Sequence, residues 1–394
     1  MGSVRRGVVL LLVGGLVAAC GARQGSPIGP ATPTASPTTA SRSTEASDKS
    51  DRPGLRSQTH LPAAMDTRRG EVIALQDNSP AAATFTTWAF DVRTNRWSRI
   101  DAAGAPSGDA YQVAYDVAAD LVLAFPGWDG PVWAFSRALN SWSTAPSIAA
   151  GPDGVTDVVY DPDRRLVWAW NDRDGQLWSY DVRSWSWREV EQRQAALWPL
   201  WQNPSRTWYT LLTYDTVRRA VVLSLLPFPE RQGQTWLYDP ESDAWLRADA
   251  VPPYLLLNYM EMGTEAVYDP AHQRSLAFSF GRAMTYDSAS DRWTVPAPDL
   301  WSGLEVFSDP VVGLDPRLGK ETSGPLTRYG HSLVFDPVNE RVILLGGVSR
   351  LLDPDVPLEG QRVWWAFGDV WAYDIDANQW TQLLPAVAQP VWTG

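Results

Sequence analysis

Side chains able to do chemistry are sparse in this chain. Three histidines, His60, His272 and His331, stand far apart, and the single cysteine is Cys20. Neither type recurs at the close spacing a metal site needs, so no metal and no cofactor are expected. Carboxylates are plentiful, Glu261 and Glu305 among them. Two such groups could drive acid–base hydrolysis, but only at a defined separation, which the fold and not the spacing in the chain sets. No catalytic residue is assigned on this basis. What the chain does carry is 22 Trp, and flat apolar rings beside polar groups suit the face of a sugar or of a proline.

The elements that position these rings follow from a phrase repeated six times: an aromatic pair spaced by two, an Asp, and a Trp six residues after it. It reads Trp88, Phe90, Asp91 to Trp97; Trp133, Phe135, Ser136 to Trp142; Trp178, Tyr180, Asp181 to Trp187; Trp236, Tyr238, Asp239 to Trp245; Met284, Tyr286, Asp287 to Trp293; and Trp371, Tyr373, Asp374 to Trp380. Residues two apart in a strand share a face, and an Asp that can bond the backbone two residues on opens a turn. Each phrase therefore predicts a hairpin. A second hairpin precedes each one, marked by Met65-Asp66, Tyr115-Asp116, Tyr160-Asp161, Tyr214-Asp215, Tyr268-Asp269 and Phe335-Asp336. Arg164, Arg218 or Arg341 beside these Asp residues reads as a local ion pair of the turn. Four strands per repeat, apolar on both faces, predict small sheets stacked around an axis. The motif Trp residues are expected to pack between blades.

This grammar resembles the kelch repeat, whose period is about 50 residues. The closing Trp residues here recur at 45, 45, 58, 48 and 87. The resemblance covers roughly residues 58 to 385 and is fullest in the last copy, where Arg328-x-Gly330-His331-Ser332, Gly346-Gly347, Trp371-x-Tyr373-Asp374 and Trp380 occur together. Earlier copies lack the double Gly. It implies an all-β fold, a six-bladed kelch-type β-propeller like the galactose-oxidase central domain. Copper radical oxidases share that propeller but need a Tyr joined to a Cys and paired His ligands, which this chain does not supply. The tail Pro390-Val391-Trp392 is a candidate for extra pairing with the first or last blade.

Ahead of the repeats, Arg5 and Arg6 precede an apolar run, Val8 to Val17, that is too short to remain as a spanning helix. Its ending, Val17-Ala18-Ala19-Cys20, resembles a bacterial lipobox. The expected organisation is a signal peptide over 1–19, a lipidated Cys20 with a disordered Ser/Thr/Pro-rich tether over 20–57, and the propeller over 58–394. A lipid anchor at Cys20 would hold the protein on the extracytoplasmic side of the bacterial cell membrane. The formal net charge is -12, which argues against nucleic acid as a partner.

Loops within hairpins are short and constant; those joining second to third strands and blade to blade vary, which marks their face for binding. The candidate ligand-binding residues there are Trp128, Arg173, Trp201, Arg231, Arg282, Trp301 and Trp364, with the three arginines as candidates to converge near the axis. Long segments at 188–208, 246–264, 294–328 and 348–369 carry most of these rings. The expected function is non-catalytic binding of a cell-envelope glycan or protein. The alternatives are a sugar-modifying enzyme, an epimerase or hydrolase working in the central depression, and a structural subunit of an envelope complex.

Overall fold

The structure, a computed structural model, describes residues 53, 61–77, 84–107, 111–128, 130–146, 150–190, 207–228, 233–253, 265–279, 282–295, 324–326, 328, 330–352, 362–385 and 388–391. Of 207–209, 226–228, 282, 349–352, 362–365 and 388–391 it describes the backbone alone. The described residues are all-β, without a helix. They form a six-bladed β-propeller. The blades occupy 63–100, 111–144, 157–189, 207–247, 266–294 and 332–384, and each is a four-stranded antiparallel sheet built in chain order.

The first strand of each blade is innermost. Ala63–Asp66, Tyr111–Asp116, Asp157–Asp161, Thr207–Asp215, Ala266–Asp269 and Ser332–Asp336 abut one another in a closed ring. Among the described residues no strand is exchanged to close it. Instead Ser332 Oγ donates to the Leu61 carbonyl at 2.6 Å, and Leu61, Val72 and Phe90 of blade 1 share one apolar cluster with Val334, Ile343 and Leu345 of blade 6.

Asp opens the turns as the sequence predicts. In the first turn of each blade, Oδ1 of Asp66, Asp116, Asp161, Asp215, Asp269 or Asp336 accepts the backbone N–H two residues on, and in five of the six also the next. All six carboxylates are buried, because these turns end the innermost strands. Four residues after each opening residue, in both turns of every blade, the chain takes a positive φ. Gly70, Asp120, Arg165, Arg219, Gln273 and Glu340 hold that place in the first turns, and Asn95, Asn140, Trp185, Asp243, Asp291 and Asn378 in the second. The conformation disfavours residues with a Cβ, and Asn and Asp tolerate it best.

The turn carboxylates also stitch blades together. Tyr160 Oη of blade 3 donates to Asp116 of blade 2 at 2.5 Å, and Tyr268 of blade 5 to Asp215 of blade 4 at 2.7 Å. Arg165 adds a 2.9 Å bond to Asp116, and Arg69 pairs with both Asp66 and Asp120. Burial alone would raise the Asp116 pKa; the bonds from Arg165, Tyr160 and backbone N–H groups outweigh it and hold the carboxyl below its ordinary range. Arg69 draws the Asp120 carboxyl down to about 2. The expected ion pair within the turn is present for Arg164 and Arg341, and Arg69 makes another with Asp66; at Asp215 the bond from Arg218 is that of its backbone N–H, and at Asp269 the partner is His272.

The closing Trp residues pack outward against the preceding blade. Trp187 lies 4.8 Å from Tyr180 in its own blade and 5.7 Å from Phe125 in blade 2. Trp380 meets Phe278 of blade 5, while Trp142 Nε1 donates to Thr87 of blade 1 and Trp293 Nε1 to Thr235 of blade 4. Trp142 is buried; Trp97, Trp187, Trp245, Trp293 and Trp380 are half-buried. They seal the outer seams, because the fourth strand is the outermost of its blade.

A seventh sheet has three strands and no place in the inner ring. Between the second and third strands of blade 6 the chain inserts a hairpin, Val348–Leu352 and Arg362–Phe367, and the C-terminal strand Ala388–Val391 pairs with its second arm. The segment expected as a long loop over 348–369 is thus partly strand, and the tail pairs with this insertion.

Candidate functional site

Each first strand runs toward its Asp turn, so the turns gather on one face. Blade-to-blade connectors and second-to-third strand loops emerge on the other. On that loop face, three segments from blades 2 and 3 lock into a ledge. Val155 N–H donates to the Pro126 carbonyl at 3.1 Å and Thr156 N–H to the Trp170 carbonyl at 2.8 Å. Asn171 Nδ2 donates to the Asp153 carbonyl at 3.3 Å, while its Oδ1 accepts the backbone N–H groups of Arg173 and Asp174. Gly154 has φ +85°, and a Cβ there would stand 2.1 Å from the Gly127 carbonyl oxygen. The backbone of 126–128 can approach only because that side chain is missing.

Two of the candidate residues meet on this ledge. The Arg173 guanidinium carbon lies 4.8 Å from the Trp128 ring centroid, within cation–π range. Arg173 Nη1 also bonds Asp153 Oδ2 at 2.6 Å. Trp128 remains 57 % exposed. Sequence reasoning missed Asp153 and Asn171, although Gly151-Pro152-Asp153-Gly154 is a turn signal of the kind that fixes a connector.

A second group lies between two innermost strands. Leu212 N–H donates to Asp157 Oδ2 at 2.8 Å. The bond runs from the first strand of blade 4, Thr207–Asp215, to the first strand of blade 3 and holds this carboxyl between them, on the loop-face end of Asp157–Asp161. Burial first and the charge of Glu265 second push the Asp157 carboxyl well above its ordinary pKa. Burial likewise raises Asp172. The signal was a charged residue opening a core strand at Asp157, paired in register with Trp170.

The remaining candidates are dispersed. Arg173 bonds within the seam between blades 2 and 3. Arg282 opens the third strand of blade 5, and Trp364 lies in the inserted hairpin opposite Val391. Trp208, expected in a loop, belongs to the first strand of blade 4, opposite Pro227. Cys20, Trp201, Arg231, Glu261, Trp301 and Glu305 lie outside the described residues, as do most of 188–208, 246–264 and 294–328. Among the described residues no three His, Cys, Asp or Glu side chains are placed to hold a metal, and no helix is long and apolar enough to cross a membrane.

On the turn face His272 bridges Asp269 Oδ2 at 2.8 Å and Asp376 Oδ2 of blade 6 at 3.3 Å. It occupies the place of Arg164, which joins Asp161 to Glu241 of the next blade. That equivalence makes it a blade clip.

No family model matches the chain, and no curated protein does. Among solved structures, the chain is similar to an auxiliary nutrient binding protein from Bacteroides thetaiotaomicron VPI-5482, with TM-score 0.46 and 10 % identity over 74 % of this chain and 67 % of that one. It is also similar to the structure of YjhT, with TM-score 0.49 and 11 % identity over 84 % of this chain and 98 % of that one. At these values neither neighbour bears on what this chain binds.

Proposed function

We propose that this chain is a lipid-anchored, extracytoplasmic propeller of the kelch type that binds a cell-envelope ligand, glycan or protein, on its loop face without turning it over. The observation that supports it most is the ledge: an indole left 57 % exposed on backbone already fixed by hydrogen bonds pays little ordering cost when a ligand stacks on it. The anchor rests on the lipobox ending at Cys20. Trp201, Arg231, Arg282, Trp301 and Trp364 are proposed to extend the binding face. The test is a glycan array probed with the purified full-length protein, alongside pull-down from envelope extracts in mild detergent. Retention of an envelope glycan or one stoichiometric protein supports the reading, and retention of neither overturns it. Cys20→Ser should move the protein from the membrane fraction to the soluble fraction.

The Asp157 carboxyl supports a second reading, a sugar-modifying enzyme. A carboxyl whose pKa is raised by burial and by the charge of Glu265 is suited to act as a general acid. Turnover of a bound glycan that Asp157→Asn abolishes without loss of binding would favour it.

A further inference from the structure

We infer that the Trp128 ledge accepts an uncharged sugar face and discriminates against acidic glycans, an inference that rests on the loop-face binding reading. Arg173 is the one cation of the described ledge, and its position decides the matter. An arginine that recruits an anionic ligand presents its donors outward. Here the guanidinium lies over one face of the Trp128 ring at 4.8 Å and directs Nη1 into Asp153 at 2.6 Å. Its charge is matched before any ligand arrives.

The surroundings add negative charge. Asp172 and Asp174 flank Arg173 in the turn, whose conformation is set by Asn171 Oδ1 and by Gly175 at φ +65°. A carboxylate, sulfate or phosphate on a ligand would approach the exposed Asp153 and Asp174 side chains and one arginine already paired. Repulsion between like charges at such an interface is costly. With one ring face under the guanidinium and the residue still 57 % exposed, the opposite face is the one open to stacking. Such a face takes the C–H side of a pyranose, and the outer oxygens of Asp153 and Asp174 can accept sugar hydroxyls.

The backbone that carries the indole is closely packed: Gly154 cannot take a side chain without displacing 126–128.

The test uses the full-length protein and a glycan array containing neutral oligosaccharides and their uronic-acid, sulfated and phosphorylated counterparts. Binding is followed by Trp fluorescence and titration calorimetry for wild type, Trp128→Ala and Arg173→Ala. Expected is retention of neutral glycans, binding to their acidic counterparts weaker by about tenfold or more, and a similar loss for neutral glycans on Trp128→Ala, equivalent to roughly 1.4 kcal/mol. Acidic glycans binding as tightly as neutral ones, with that binding lost on Arg173→Ala, would overturn the inference and leave loop-face binding standing. Neutral binding untouched by Trp128→Ala would displace the ledge as the site. Retention of no glycan at all would overturn both this inference and the glycan reading. Phe-scale controls exclude misfolding: Trp128→Phe should keep most of the affinity, and all variants should melt within a few degrees of wild type.

Discussion

Tyr180 ends in a buried hydroxyl with no hydrogen-bond partner, and five residues later Trp185 occupies the left-handed turn position. The two facts are one. In sister blades that position holds an acceptor for the same Tyr: Asp243 for Tyr238 at 2.6 Å, Asp291 for Tyr286 at 2.9 Å and Asn378 for Tyr373 at 2.6 Å. Where the aromatic is Phe90 or Phe135, Asn95 and Asn140 accept from Arg341 and Arg137 instead.

Trp185→Asn should therefore stabilise the protein. Asn tolerates the left-handed conformation better than Trp, which recovers part of its cost of about 1 to 2 kcal/mol, and the new acceptor removes an unsatisfied buried donor, about 1 to 3 kcal/mol. Loss of the Trp185 ring from beside Tyr180, at 6.3 Å, offsets part of this. A rise in denaturation midpoint checks it. In the same assay Tyr180→Phe should be nearly neutral, whereas Tyr238→Phe should cost about 1 kcal/mol.

The Arg328–Asp369 pair should be the most sensitive ionic contact. Both side chains are buried, joined at 2.5 and 2.9 Å, with Trp371 Nε1 donating to the same carboxylate and Arg328 lying over Phe367. Asp369→Ala leaves a buried guanidinium without its counter-ion and should cost about 3 to 5 kcal/mol. The exposed pair Arg219–Asp163 should cost no more than about 1 kcal/mol when broken. Urea unfolding of both variants compares them.

His272 should make stability depend on pH. Burial alone would lower its pKa, but the hydrogen bond and charge of Asp269 and the charge of Asp376 outweigh that and raise it above 6.5. These are the charged groups that face the ring; Arg274 acts on Asp287. A raised folded-state value means the contribution is complete below the ordinary histidine pKa and fades as pH rises through the folded one. Asp376 is 85 % exposed, so the effect should stay near or below about 1 kcal/mol. Melting temperature measured from mildly acid to mildly alkaline pH should fall more for wild type than for His272→Gln.

Closing Trp residues should grade by burial. Trp142→Ala, which empties a buried site and strips Thr87 of its donor, should cost about 3 to 5 kcal/mol. Trp187 and Trp245 are half-buried, and their Ala variants should cost less, about 2 to 3 kcal/mol on the area they cover. Equal losses at all three would mean that the seams and not the indoles set the scale.

The six-bladed fold was legible in the sequence because its signals are local: a strand alternates over two residues, and an Asp turn closes on its own backbone within four. Twelve turns repeat that geometry from Asp66 to Asn378. The amino-acid sequence also placed Trp128 and Arg173 on one face. That they stack, that Asp153 neutralises the arginine, and that Leu212 holds Asp157 between the first strands of blades 3 and 4 were decided by tertiary structure. These contacts join residues 20 to 55 positions apart, across seams whose register depends on how whole blades pack. The insertion in blade 6 escaped for the same reason, since its hairpin is completed by a C-terminal strand that no local pattern assigns to it.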